Sequence, residues 1–434
     1  KSWCDRLISL QLKDNGEAYF KGGILCPSCA HIHGRIGDAV YPFTFMYDKT
    51  RDPKYLEAAK LVMRWTRCNT LVGHGRYLND RLNPWSCTTV FFASALAKTL
   101  IYHGDCLERE LYDEWFAEFL SMAAYCGKRL EDPYNNINYT AAYCAMNALA
   151  YKLTGERKYK DKAYEKAAHV KAQFDSELLL TGEGGVGKVT AKGCGYIDLG
   201  YNVEESLPSL AEFAHCFNDE AYLKLAVDAY KAHINFMLPD GAWDNSWGTR
   251  ANKWSYWGSR TSDGAQSGLC LLAKYDEVLA EAAERNFELY RACTKDGLLY
   301  GGRMYTEYGE PPCAHHTFCH AKALCDLLNS GFKYEARVKL PCESARGVSR
   351  FNNGHVLIIN KGGWRLTATD CDAVKYRGAA VSGGALSLVW HDALGVVFGS
   401  SASQYERVEP MNMQLSQNDP DMPSCTLRIA NGAY

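Results

Sequence analysis

The sequence has no surplus of either charge: 48 Lys and Arg stand against 50 Asp and Glu, a formal net charge of −2 over 434 residues. That balance supplies no pull toward nucleic acid or an anionic membrane surface, so neither is expected as a partner. No stretch approaches the roughly eighteen apolar residues that a membrane-spanning helix needs. Low-complexity tracts are missing as well, and 47% hydrophobic with 23% charged residues is the composition of a folded, cored protein. Lys1-Ser2-Trp3-Cys4 opens on mixed sequence rather than a basic segment followed by an apolar one, so a secretory leader is expected to have been removed or never to have existed. The 18 cysteines are not packed into a disulfide framework; they are spread along the chain. Several (Cys144, Cys216, Cys270, Cys325) fall at helical core positions, as buried thiols do.

What is present is helical periodicity. Apolar residues recur at three- and four-residue spacing over Asp38 to Asp48, Tyr55 to Trp65, Val90 to Tyr102, Ala141 to Leu153, Leu207 to Phe217, Leu269 to Leu279 and Ala321 to Leu328. A short signature repeats among them: Asp52, Tyr55, Ala59; Glu156, Tyr159, Ala163; Asp219, Tyr222, Ala226; and a weaker Asp276, Leu279, Ala283. The acidic residue favours the positive end of a helix dipole, the next turn packs inward, and the small residue lets a neighbour approach. More apolar helices start near His33, Pro84, Asn135, Asn202, Ser262 and His315, about one helical hairpin apart. Such hairpins bury their apolar helices on all sides only by closing, so the expected fold is mainly α: an (α/α)6–7 toroid over residues 1–331, with Trp3 to Leu12 as the missing outer helix. After about Gly331 alternating runs begin at Gly354, Trp364, Ala385 and Gly395, which predicts an antiparallel β domain over residues 332–434, possibly incomplete.

In a closed toroid all inner helices run the same way, so the loops leading into them open on one rim. The opposite rim carries short charged turns such as Lys49 to Pro53. The lead-in loops hold the unusual side chains: Cys26, Cys29, His31, His33 and Arg35 in the first; Trp85 in the second; Asn135, Asn136 and Tyr139 in the third; Asp198, Tyr201, Glu204 and Glu205 in the fourth; Trp243, Asp244, Trp247, Arg250, Arg260 and Asp263 in the fifth; and Cys313, His315, His316 and Cys319 in the sixth. Aromatic faces stack on sugar rings, Asn and Asp bond hydroxyls, and Arg forks hold carboxylates, so an acidic oligo- or polysaccharide is the expected partner. The bland alternative for the Trp residues is that they plug the toroid mouth.

Cleavage of a uronic acid has two physical routes. Elimination needs a base, a neutraliser of the carboxylate and a proton donor to the leaving oxygen. Hydrolysis needs two carboxyl groups flanking the bond. Four of the 12 histidines lie in two loops that closure brings side by side, which favours elimination. A hydrolase, including the unsaturated-glucuronyl type, and a non-catalytic binder are the alternatives. Cys26, Cys29, Cys313 and Cys319 would also meet on closure and form a plausible tetrahedral zinc set, although elimination itself requires no cofactor. A redox pair or inert thiols explain the same cysteines.

With these residues in place, the chain resembles the (α/α)-toroid plus antiparallel-β polysaccharide lyases of the heparinase II/III and alginate-lyase type. The resemblance is carried at motif level by His31, His33, Asn135, Asn136, Tyr139, Tyr201 and His315. It looks especially like the gut Bacteroides lyases that remove rhamnose caps from glucuronate. That resemblance implies β-elimination at a 4-linked uronate, with Tyr139 or Tyr201 as acid/base, His33 or His316 as partner, and Asn136, Arg35 or Arg260 as neutraliser. His31, Asn135, Trp243, Trp247, Arg250 and His315 would bind substrate. It also implies a periplasmic or secreted location, since such polymers lie outside the cytoplasm. Cys26-Pro27-Ser28-Cys29 has no counterpart in the family pattern.

Overall fold

A computed structural model of the chain describes residues 1–13, 19–28, 30–79, 84–131, 136–251, 266–302, 311–334, 337–373 and 385–399. In chain order, an outer helix α1 (Ser2–Leu10) is followed by a two-strand hairpin, β1 (Leu25–Cys26) and β2 (His31–Ile32). Inner and outer helices then alternate: α2 (Val40–Thr50) and α3 (Pro53–Asn69), α4 (Thr89–His103) and α5 (Arg109–Arg129), α6 (Ile137–Thr154) and α7 (Arg157–Lys171). The short α8 (Leu199–Tyr201) leads into inner α9 (Leu207–Phe217) and outer α10 (Glu220–Ile234). Inner α11 (Gln266–Leu272), outer α12 (Glu277–Ala292), a small hairpin of β3 (Thr294–Lys295) and β4 (Leu298–Leu299), and inner α13 (Ala314–Asn329) complete the helical part.

Among the described residues the inner helices form a closed ring: α2 packs on α4, α4 on α6, α6 on α9, α9 on α11, α11 on α13, and α13 back on α2. Each has its own outer helix, and α1 fills that place for α13, so six inner helices face six outer ones. Trp3 ties this closure down by donating its indole N–H to Thr294 Oγ1 at 3.1 Å. Burial follows position. Every residue of α6 from Ile137 to Ala150 is buried, because neighbours, outer helix and ring interior surround it. Outer α7 buries only Ala163, Lys166, Ala167 and Val170, a single stripe at helical spacing.

The repeated signature marks the outer helices. Asp52, Asp219 and Asp276 each accept a backbone N–H at the start of α3, α10 and α12, and Ala59, Ala163, Ala226 and Ala283 are all buried. Asp276 also explains why the apolar run Leu269 to Leu279 is not one helix: a 3-10 turn at Ala273–Tyr275 ends α11, and Asp276 caps the next helix. Helix α5 keeps the acidic N-cap Glu108 and Leu111 of the signature but carries buried Trp115 in place of the small residue.

After α13 a four-residue turn, α14 (Pro341–Ser344), leads into one antiparallel sheet in simple order: β5 (Gly347–Phe351), β6 (Val356–Lys361), β7 (Trp364–Thr369), β8 (Ala385–His391) and β9 (Gly395–Gly399). Strand β5 precedes the runs read from sequence. The sheet docks on the rim where the inner helices begin. Phe351, Val356 and Ile358 join a core with Phe236, Trp243 and Trp247, while Leu388 and Trp390 pack with Trp3, Leu238 and Tyr290. Asn352 Oδ1 accepts from the Gly195 N–H at 2.7 Å, and the Ser246 and Ser387 hydroxyl oxygens lie 2.9 Å apart, within hydrogen-bond distance. One sector of the rim is thereby covered. Among the described residues no helix is long and apolar enough to cross a membrane.

Candidate active site

The first lead-in loop is shaped by the β1–β2 hairpin, which pairs Cys26 with His31 and hands the chain to His33 at the start of a 3-10 turn, Gly34–Ala39, continuous with α2. A Cβ on Gly34 would stand 2.2 Å from the Asn79 carbonyl oxygen, so the close approach of the first two loops at this point requires a glycine. The turn presents Arg35 and Asp38 to the ring interior. Arg35 Nη2 lies 2.8 Å from Asp38 Oδ2, and Nη1 lies 3.6 Å from Glu205 Oε1. Its guanidinium sits 4.6 Å over the Phe91 ring, and Lys322 Nζ reaches the same Asp38 oxygen at 2.9 Å.

From Glu205 the polar contacts continue around the rim. Asn138 Nδ2 donates to Glu205 Oε2 at 2.7 Å, and its backbone N–H donates to Glu183 Oε2 at 3.3 Å. Glu183 Oε1 accepts from Arg250 Nη2 at 2.7 Å, and Arg250 Nη1 donates to Asp198 Oδ2 at 2.9 Å. Arg250 lies 4.2 Å over the Tyr201 ring. Glu204 and Glu205 stand in the first turn of a π-helical segment, Asn202–Ser206, which breaks the regular ladder before α9. Burial by itself would push the Asp38 carboxyl up, but Lys322 and Arg35 more than offset it and hold it below the usual range. Burial opposes the Arg35 charge, yet Asp38, Cys319 and Glu205 raise its affinity for the proton further.

The structure separates the candidate imidazoles. His33 is buried against the sulfurs of Cys26 and Cys313; burial pulls it down, but the two sulfurs outweigh that and hold it at about 9. His316 is buried with its ring 4.2 Å from that of His320, whose pKa burial lowers to about 4. His31 and His315 are half-buried at the mouth, the His315 ring 5.0 Å from that of His33. Tyr139 receives the Trp85 indole N–H at its hydroxyl at 2.7 Å, and burial, then the Glu205 charge, push that phenol well up. Tyr201 is half-buried, and Asn136 is buried at the start of α6, bridged through its backbone to Glu183.

Other expectations change. Trp243 and Trp247 are 0% and 1% exposed. Trp247 packs 4.9 Å from the ring of Phe236, and both indoles lie in the core that the sheet closes, leaving no open face for a sugar to stack on. Asp244 likewise serves the toroid–sheet contact, accepting from Ser246 and Thr367. Arg250 is 2% exposed and committed to two carboxylates. Of the expected metal set, Cys26 and Cys313 meet, whereas Cys319 turns to the ring interior, its Sγ 3.8 Å from Asp38 Oδ2; His33 takes its place beside the other two. Cys29, Asn135, Arg260 and Asp263 lie outside the described residues. Asp38, Asn138, Glu183 and Lys322 were missed. Only Lys322 carried a signal, because a charged residue inside an apolar inner helix has to find a partner across the ring; Asp38 and Glu183 lie outside the inner helices and Asn138 is uncharged.

A toroid of this kind is also the fold of a family 76 glycoside hydrolase from a bovine Bacteroides thetaiotaomicron strain, with a TM-score of 0.54 and 13% identity over 76% of each chain. D-mannose isomerase matches with a TM-score of 0.53 and 14% identity over 76% of this chain and 98% of that one. At these identities the likeness is one of fold alone. Sequence is more specific. Residues 1–343 match the Ulvan lyase N-terminal domain and residues 348–432 the Ulvan lyase C-terminal domain, so the chain belongs to the ulvan lyase family. A broad-specificity ulvan lyase of Formosa agariphila is 39% identical over 427 residues, covering 95% of this chain and 66% of the relative. The chain therefore spans about two thirds of that relative's length.

Proposed function

We propose that this protein is a polysaccharide lyase that cleaves a 4-linked uronic acid bond by β-elimination, with the rhamnose–glucuronate linkage as its target. Membership of the ulvan lyase family supports the substrate class, ulvan being an acidic sulfated polymer with rhamnose and glucuronate units. The observation that carries the chemistry is Arg35: a guanidinium with its side chain 14% exposed, fixed by Asp38 and Glu205 over Phe91, whose ring is 5.8 Å from that of Tyr139.

In this reading Arg35 neutralises the uronate carboxylate, which lets the proton on the adjacent carbon be removed. His315, the half-buried imidazole of the sixth loop, takes that proton. The electron pair forms the new carbon–carbon double bond, and the glycosidic oxygen departs with a proton from Tyr139, a phenol that its surroundings keep protonated. Trp85, half-buried beside Tyr139, supplies the sugar-stacking face. Hydrolysis is less well supported, because these rim carboxylates among the described residues already have partners: Glu205 with Asn138 and Arg35, and Glu183 and Asp198 with Arg250. A polymer substrate places the site of action outside the cytoplasm.

The test is to mix the protein with ulvan and a panel of uronate-bearing glycans and follow ultraviolet absorbance. A lyase generates the unsaturated-uronate chromophore; new reducing ends without it would mean hydrolysis, and neither signal would mean a binder. Arg35→Gln should lower kcat/KM by roughly 10²–10³-fold and Tyr139→Phe by roughly 10²–10⁴-fold, with unfolding midpoints near wild type. Wild-type rates in both variants would remove the assignment.

A further inference from the structure

Cys26, His33 and Cys313 come from opposite ends of the helical part and meet where the ring closes. Each sits on a fixed piece of backbone: Cys26 on β1, His33 directly after β2 at the head of the 3-10 turn, and Cys313 as the N-cap of α13. All three are buried, and their ligand atoms lie within 4.8 Å of one another. The two sulfurs are 3.8 Å apart. That is far beyond the roughly 2.05 Å of a disulfide. It matches the sulfur–sulfur edge of a zinc tetrahedron, which for zinc–sulfur bonds of about 2.3 Å is about 3.8 Å long. Two thiols and an imidazole in a buried pocket form a soft donor set, one that selects zinc over magnesium or calcium.

We propose that Cys26, His33 and Cys313 bind one zinc ion that locks the first lead-in loop to the start of the last inner helix. The ion is placed to be structural. Two thiolates neutralise its charge, and its three ligands join the hairpin that delivers Arg35 to the helix that carries His315 and Lys322. The ion takes no step in the elimination, although its ligand His33 lies with its ring 5.0 Å from that of His315; His33 is a ligand rather than a catalytic partner.

Metal analysis of the full chain, purified without chelator, tests the site directly, and wild type is expected to hold about one zinc per chain. Exchange into cobalt(II) should produce a thiolate-to-cobalt charge-transfer band together with tetrahedral visible bands. Cys313→Ser should lose both the zinc and the charge-transfer intensity, whereas Cys319→Ser should keep them. Chelation of the wild type should lower its melting temperature, and zinc should restore it. The proposal falls if reduced wild-type protein holds no zinc and fails to take it from a colorimetric chelator. It falls equally if native protein weighs two hydrogens less than its reduced form because Cys26 and Cys313 are joined. Neither readout depends on lyase activity.

Discussion

Arg35 and Arg250 have the same residue type, lie in the same class of loop and each contact two carboxylates, yet they do different work. Arg250 is 2% exposed between Glu183 and Asp198, in a sector that the sheet covers. Arg35 keeps 14% of its side chain open, and one of its partners, Asp38, is shared with Lys322. The difference is one of charge count and cover. Arg250 is fully compensated and sealed, so it holds the rim together. Arg35 and Lys322 stand against Asp38 and Glu205, a balanced set, so an incoming carboxylate meets less negative charge there than at Arg250, which alone faces two carboxylates.

The largest expected effect separates the two directly. Arg250→Met would leave Glu183 and Asp198 buried without their counter-ion, and denaturant unfolding should show a loss of about 3–5 kcal/mol. A loss below about 1 kcal/mol would break the contrast with Arg35. The tryptophans extend it. Trp247→Ala opens the toroid–sheet core and should cost about 3–5 kcal/mol of stability. Trp85→Ala should instead raise KM about tenfold with a smaller stability change, so equal stability losses would argue that Trp85 is core as well.

The smallest effect concerns acid. Burial lowers His233 and His320 from 6.5 to about 4 in the folded chain. Below pH 6.5 the unfolded chain binds protons that the folded one refuses, so stability is full above that value and declines as pH falls toward about 4. His233 shows the physical reason: Nδ1 bonds the Ala229 carbonyl at 2.7 Å, and Nε2 faces the Asn202 side-chain amide at 3.2 Å, leaving no acceptor for a second proton. Melting temperatures across this window should flatten in His233→Gln; an unchanged acid limb would point to other groups.

The toroid was legible because four of its six outer helices repeat a local rule. An acidic cap, an inward residue one turn on and a small residue after that are all written within eight positions, and Asp276 could be found despite its degenerate signature. Helix α5 escaped because Glu108 and Leu111 keep the first two parts of the signature but Trp115 stands where the small residue belongs. The rim was legible as a collection of residue types, but their allotment was not. Whether a Trp faces solvent or a second domain depends on where the sheet lands, and nothing near Trp243 or Trp247 records the position of Phe351. The same holds for Cys319, which six residues of helix carry away from Cys313 to face Asp38. Lys98 is a further case: it spans the ring interior to Glu212 at 2.8 Å and Asp326 at 2.9 Å, partners more than a hundred positions away.

Seating α1 beside α13, with Trp3 bonded to Thr294, imposes an order on assembly. Neighbouring hairpins can form as they leave the ribosome, and α1 can rest early on α2 and α3, where Tyr55 donates to Asp5 Oδ1 at 2.7 Å, but its partner α13 follows only some three hundred residues later. Until then α1 is only partly covered, and the seam must close over a very long loop, the slowest kind of contact to make. Nascent chains arrested before α13 should therefore be the species that chaperones hold, and the seam should be the first part of the mature molecule to open.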